Sequence, residues 1–354
     1  MTHPSLHPRM DQGQRPYYVV TPPYSRHSAG VRVLHLTIHH LNRSGQAAFA
    51  AILPSDARGK RTSAELCTPE LSDEIAENHF ERGLTPIVVY PEIITGNPLR
   101  AAVAVRFYLN FPGLIGGSAT VDVNEIRFGY SKLLASTAGA PENVLHVPVI
   151  DTTVFSPEPA VKRDVTCFYA HKYIHHFRGE VFGLPPGCIE ITGGGATTPG
   201  EVAELLRRSS RLYLFEDSAL GTEAVLCGCP VILMYNKYFK VPLLKSEIGE
   251  NGFATSDDPA AVQHAERTIE QARHNYFALW ERFPQQLDRF VQVTQARANS
   301  TEYLTEVDLR WLQPSKDPST EFRRPTSLSI RGARGLLCCL RSFAAAMRGM
   351  LRKR

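Results

Sequence analysis

The chain has 354 residues, 43% of them hydrophobic, which is too long for one ordinary core and apolar enough for two, so two domains are expected and a wholly disordered chain is excluded. The formal net charge of +4 is spread without a basic stripe over most of the length, and no window approaches about 18 consecutive apolar residues, so neither a nucleic-acid partner nor a membrane span is expected. Seven cysteines, odd in number and without a repeating CxxC spacing, argue against a disulfide framework or zinc ribbon and for a reducing cytoplasm.

Residues 1–16 are polar, lack the apolar centre of a secretory signal and are expected to be disordered. Tyr17 to Val20 reads as a buried strand, Val31 to Asn42 as a helix with one apolar stripe, and Gln46 to Leu53 as a second strand. Strand, turn, helix and strand in that order predict a parallel, Rossmann-like sheet. The small-residue turn Ser28-Ala29-Gly30 opens the helix; its free amides and the helix dipole suit a diphosphate, which makes Ser28 and Gly30 candidate donor-binding residues.

Thr85 to Tyr90 is a β-branched run ending at Pro91-Glu92. Because ligands bind at the carboxyl ends of strands in parallel sheets, Glu92 is a candidate catalytic or acceptor-binding carboxylate. Leu99 to Leu109 reads as a helix, Pro112-Gly113 and Gly116-Gly117 as a loop, and Ile126 to Tyr130 and Val144 to Val147 as short strands.

A proline-punctuated crossover follows, Val147-Pro148-Val149-Ile150-Asp151-Thr152-Thr153-Val154-Phe155-Ser156-Pro157, and then a second alternation: strands at 165–170, 188–192, 212–215 and 231–234, with helices at 199–208 and near 222–227. Asp258 and Pro259 begin a helical stretch to Trp280, and Pro284 to Ala298 reads as another. The expected division is therefore 17–150, 151–313 and a linker with basic tail at 314–354.

The crossover resembles the interdomain linker of GT-B glycosyltransferases. The segment Leu212 to Met234, LYLFEDSALGTEAVLCGCPVILM, resembles the donor-binding segment of the retaining GT-B enzymes grouped as glycosyltransferase family four, which serve bacterial surface polysaccharide assembly. The resemblance implies an α/β chain of GT-B fold, two Rossmann-like domains facing a central cleft. It also implies transfer of a sugar from a nucleotide-sugar donor to a saccharide or lipid-linked saccharide acceptor, with retention and without a metal or other cofactor.

Position by position, the resemblance makes Glu223 the ribose-binding glutamate and Ser218, Ala219, Leu220, Gly221 and Thr222 the diphosphate loop. Lys172 and Arg178 fall where the family neutralises the departing diphosphate, a task that needs cations. Gly194, within Gly193-Gly194-Gly195, matches a glycine-rich turn before the base-binding region. One departure stands out: the family's further glutamate, eight residues before the second, is here Phe215, with Glu216 next to it.

Two other readings compete. One is an inverting transferase or GT-B epimerase with His39, His40 or Glu92 as base; the other is a catalytically inactive GT-B module that binds saccharide or a partner protein. Adjacent histidines on a helix point about 100° apart, and no metal-ligand spacing accompanies them, so no metal is expected. Residues 330–354 interleave large apolar and basic side chains without an acid. They are expected to form an amphipathic segment that brings a cytoplasmic protein to the anionic inner face of the plasma membrane.

Overall fold

The structure, a computed structural model, describes residues 13–54, 61–191, 198–301 and 306–313. The chain divides into two compact units, Met1–Val147 with Phe283–Arg354, and Pro148–Arg282. Gly194 and residues 330–354 lie outside the described residues.

The first unit is built on five parallel strands, β1 (Tyr17–Thr21), β2 (Ala48–Ile52), β3 (Ile87–Pro91), β4 (Val103–Tyr108) and β5 (Ile126–Gly129), in the spatial order β2-β1-β3-β4-β5. Val19 lies opposite Ala50 on one side and Val89 on the other. Helix α1 (Ala29–Arg43) returns along β1, burying Val33, Leu34, Ile38 and Leu41. Helices α2 (Asp73–Glu81) and α3 (Lys132–Thr137) start at Ser72 and Ser131, whose hydroxyls each accept from the amide three residues on. Neither helix stands out in the sequence, since both are shorter than the length over which apolar periodicity shows.

The expected helix over 99–109 is instead the strand β4. Its sequence, VAVRFY, is β-branched and aromatic, and Val103, Val105 and Phe107 are essentially inaccessible between neighbours on both sides. Arg106 is tolerated there because Glu125 meets its Nε at 2.9 Å while the carbonyls of Ile94 and Gly96 accept from its remaining nitrogens. The same arginine pins the helix-free connection from β3 to β4. Val144 makes a single bridge to Gly129 in place of the expected strand.

The second unit repeats the plan with β6 (Val165–Tyr169), β7 (Ile189–Glu190), β8 (Ser209–Leu214), β9 (Val231–Leu233) and β10 (Phe253–Ala254), parallel and ordered β10-β9-β8-β6-β7. Five helices accompany it: α4 (His171–His175), α5 (Pro199–Arg208), α6 (Ala219–Leu226), α7 (Leu243–Ile248) and α8 (Pro259–Asn299). Thr198 and Glu201 close a capping box on α5. Its core joins Leu212, Leu214, Ala224, Val225 and Leu233 with Ile269, Ala272 and Tyr276 from the early part of α8.

Where two helices are expected near 260–298, α8 is continuous, with Pro284 inside it. Proline removes one amide donor but does not by itself forbid continuation when packing on either side is sufficient. Past the proline the helix packs in the first unit, where the Phe290 ring meets Phe128 at 4.8 Å and Thr294 bonds the Tyr17 hydroxyl at 2.8 Å. Asp258 accepts from Ala260 and Ala261 and so caps the start, as its position before Pro259 predicts.

Candidate functional site

Numbered within each unit, both sheets have the order 2-1-3-4-5. The direction of winding reverses between the first and third strands, and there the connections leave to opposite faces and open a crevice at the strands' carboxyl ends. In the first unit this point lies between β1 and β3, in the second between β6 and β8.

At the second unit's switch point, α4 begins immediately after β6, yet its N-cap residue is Ala170, which has no side chain able to take an orphan amide. Glu216, just past β8, does so instead: its Oε2 accepts from the Tyr173 amide at 2.7 Å. Lys172 stands over the same carboxylate, Nζ to Oε1 3.8 Å, and donates to the Asp217 carbonyl at 2.6 Å. Asp217 turns its own carboxylate the other way, accepting from the Leu243 amide at the start of α7 at 2.8 Å. Burial raises the Glu216 carboxyl above its ordinary range, opposed by Lys172, and pushes Asp217 up to about 7.

Ser218 follows as N-cap of α6, its hydroxyl accepting from the Leu220 amide at 3.2 Å and lying beside the Tyr169 hydroxyl from the end of β6. The helix therefore starts at Ala219, earlier than the expected start near Thr222, and the proposed diphosphate loop is its cap and first turn. Ser218 and Ala219 are half-exposed, whereas Leu220, Gly221, Thr222 and Glu223 are buried. A Cβ at Gly221 would come within 2.9 Å of the Cδ2 methyls of Leu214 and Leu244, so those two side chains would have to shift to admit one. Arg178 lies beyond α4, exposed, with φ of 56°.

The sequence points to Lys172 and Ser218, whereas Tyr169 and the capping role of Glu216 emerge only from the structure. The signal available was an uncappable alanine between a strand and a short helix.

At the first unit's switch point, Ser28 caps α1 by accepting from the Val31 amide at 3.4 Å. Glu92, one residue past β3, is buried and its Oε2 accepts from the Leu109 amide at 3.0 Å, tying the end of β3 to the end of β4. Burial pushes its carboxyl up to about 7. Gly30 faces the Leu109 side chain, and Gly117 packs so closely on the Glu92 carbonyl that an added Cβ would lie 1.9 Å from it. The structure thus brings Gly30, Glu92 and the 109–117 loop to one edge.

His39 and His40 belong to the other edge. They occupy the last turns of α1, which runs antiparallel to the strands and so ends at their amino-terminal side. His39 Nδ1 accepts from the Cys67 amide at 2.9 Å, and the His40 ring packs on Phe283 at 4.7 Å, where burial pushes its pKa down to about 4. Among the described residues no three His, Cys, Asp or Glu side chains stand together as metal ligands, and no helix is long and apolar enough to cross a membrane.

No known family profile matches the chain, and no curated protein sequence matches it. Solved structures similar to it include the glycosyltransferase SnogD from Streptomyces nogalater, at 13% identity over 80% of this chain and 99% of that one, TM-score 0.42. The glycotransferase of kitacinnamycin is 12% identical over 82% and 99%, TM-score 0.43. A glycosyl transferase family 9 protein from Veillonella parvula DSM 2008 is 12% identical over 76% and 99%, TM-score 0.28.

Proposed function

We propose that the chain is a glycosyltransferase whose second unit holds a nucleotide-sugar donor and whose first unit presents the Glu92 edge to a saccharide or lipid-linked saccharide acceptor. The observation that carries this reading is the meeting of Lys172 with the Ser218-capped start of α6 at the switch point between β6 and β8. A lysine ammonium has three donors; the Asp217 carbonyl takes one, and with its side chain about one-third exposed Lys172 retains a solvent-facing side for a phosphate oxygen. The amides at the accessible start of α6 face the same crevice and favour an anion. Two Rossmann-like α/β units and the family-four-like segment Leu212 to Met234 support the same reading.

On this proposal the diphosphate rests on Ser218 and Ala219, Glu223 accepts hydrogen bonds from the ribose, and Lys172 stabilises the charge that develops as the nucleoside diphosphate leaves. Retention follows if the leaving group and the incoming acceptor use the same face of the sugar, with no protein nucleophile. The direct test is thermal unfolding with UDP, GDP, ADP and CDP. Stabilisation follows RT ln(1 + [L]/Kd), so a base that fits should add about 2.7 kcal/mol at 100 Kd. Failure of every nucleoside diphosphate to stabilise the protein at millimolar concentration would overturn the assignment.

One observation favours the inactive binding module as the second reading: Glu216, the acid nearest the family's missing glutamate, is already engaged as the cap of α4. Nucleotide binding without any sugar transfer would select it.

A further inference from the structure

A cavity in the first unit lies away from the strand carboxyl ends. It encloses about 810 Å³ between α2 and the segment 306–313. Two buried side chains form its floor, Tyr18 and His79, joined hydroxyl to Nδ1 at 2.7 Å. Burial pushes the His79 pKa down to about 4, so the ring is neutral, and among the described residues no hydrogen-bond partner meets its Nε2. A ring nitrogen on a cavity floor with no hydrogen-bond partner can pair with a polar group of a ligand, accepting or donating according to the ring's tautomer.

The walls are predominantly acidic, with Asp73, Glu77, Glu81, Glu306 and Asp308 against Arg100 and Arg310. Asp73, Glu77 and Glu81 project from exposed positions of α2, and among the described residues none of them is in an ion pair, whereas Asp308 across the cavity is held by Arg310. Phe80 stands among these carboxylates with 39% of its surface exposed. The surface therefore asks for a ligand that is cationic, carries hydrogen-bond donors and includes an aromatic or aliphatic group.

We propose that this cavity receives the chain's own segment 314–354 in cis, led by Phe322-Arg323-Arg324. Gln313, where the described chain stops, is itself part of the cavity lining. Beyond it come Lys316, Arg323, Arg324 and seven further basic residues between Arg331 and Arg354, against the two acids Asp317 and Glu321. Residues 314–322 span at most about 30 Å when extended. The nine residues of α2 occupy only about 13 Å, so Arg323 and Arg324 can reach every carboxylate on that helix. Arginine supplies donors for the carboxylates, and Phe322 offers a ring to Phe80. Each exposed pair contributes little alone. A short tether, however, holds the segment at roughly millimolar effective concentration, so several weak contacts suffice.

The test uses the full chain with a photo-reactive benzoylphenylalanine in place of exposed Phe80. Illumination should give intrachain cross-links to peptides from 314–354. Their yield should fall several-fold in 1 M salt, which shortens the Debye length to about 3 Å. It should fall likewise in Glu77→Lys/Glu81→Lys and recover when Arg323→Glu/Arg324→Glu is added. All four positions are surface or terminal, and circular dichroism checks that each variant folds. Cross-links that grow with protein concentration would place a second copy on the surface and overturn the proposal. So would yields indifferent to charge reversal, or the absence of any tail peptide. Sedimentation with phosphatidylserine vesicles by a chain that gives no such cross-link in their absence would also overturn it, making the segment a membrane-binding element.

Discussion

Glu92 and Lys172 show how burial decides what a charged side chain can do. The Glu92 carboxyl titrates near 7 rather than near 4.5 because burial disfavours its charged form more than the Leu109 amide stabilises it. A raised carboxyl pKa means that the folded protein keeps a proton the unfolded chain has lost. Stability attributable to this group therefore falls as pH rises from about 4.5 to about 7 and stays lowered above that. Glu92→Gln keeps an oxygen for the Leu109 amide and removes the penalty. It should raise the unfolding free energy at pH 8 by up to about 3 kcal/mol, with little change at pH 4.5. Denaturant unfolding at the two pH values checks this; equal effects at both would show that Glu92 is not protonated by burial. Loss of turnover in the stabilised variant would support the proposed catalytic use of this carboxylate.

Lys172 is held in place by a carbonyl and a buried carboxylate, so its position is fixed in advance, as the proposed role in stabilising a leaving group requires. Lys172→Ala should lower kcat by ten-fold or more while changing donor affinity less, as expected of an interaction that strengthens in the transition state. Equal losses in kcat/KM and affinity would reduce it to a binding contact. Glu223→Ala should act the other way, weakening nucleotide affinity roughly 10- to 100-fold through loss of a charged hydrogen bond. Unchanged affinity in the folded variant, measured by calorimetry, would remove Glu223 from the donor site.

Elements here are joined by close backbone approaches as much as by side chains. The loop around Gly117 lies against the carbonyl of Glu92 with φ of 73°, a conformation that disfavours a Cβ as strongly as the contact does. Gly117→Ala should cost about 1–3 kcal/mol and displace the Glu92 loop, lowering turnover with it. A variant with wild-type stability would show that the two loops separate easily. The same economy governs α4, which has too few residues and too poor a cap to persist alone and is held by Glu216 from the neighbouring connection. Its existence is a tertiary fact, which is why no local pattern after Ala170 predicts it.

On the scale of the molecule, the repeated 2-1-3-4-5 order gives each unit one switch point, the kind of edge at which parallel sheets bind ligands. A nucleoside diphosphate should therefore protect amides at 169–173 and 216–224 from hydrogen exchange. Direct protection at the start of α1 in the first unit is not expected. Protection centred on residues 28–31 instead would exchange the roles of the two units.

Much of this plan is legible without coordinates. Buried strands such as VVYP and LYLF, and the amphipathic α1, announce themselves because parallel sheets bury continuous apolar runs and surface helices repeat every three to four residues. The Ser28 turn, Glu92 and the Ser218-to-Glu223 segment are readable because strand carboxyl ends and helix starts impose a local chemistry. Only the tertiary structure decided the rest. VAVRFY becomes a strand because neighbours cover both its faces and a distant Glu125 neutralises Arg106. Pro284 stays helical because packing on both of its sides outweighs one lost hydrogen bond. Glu216 becomes a cap because β6 and β8 lie side by side, a proximity between residues 43 apart that no local pattern encodes.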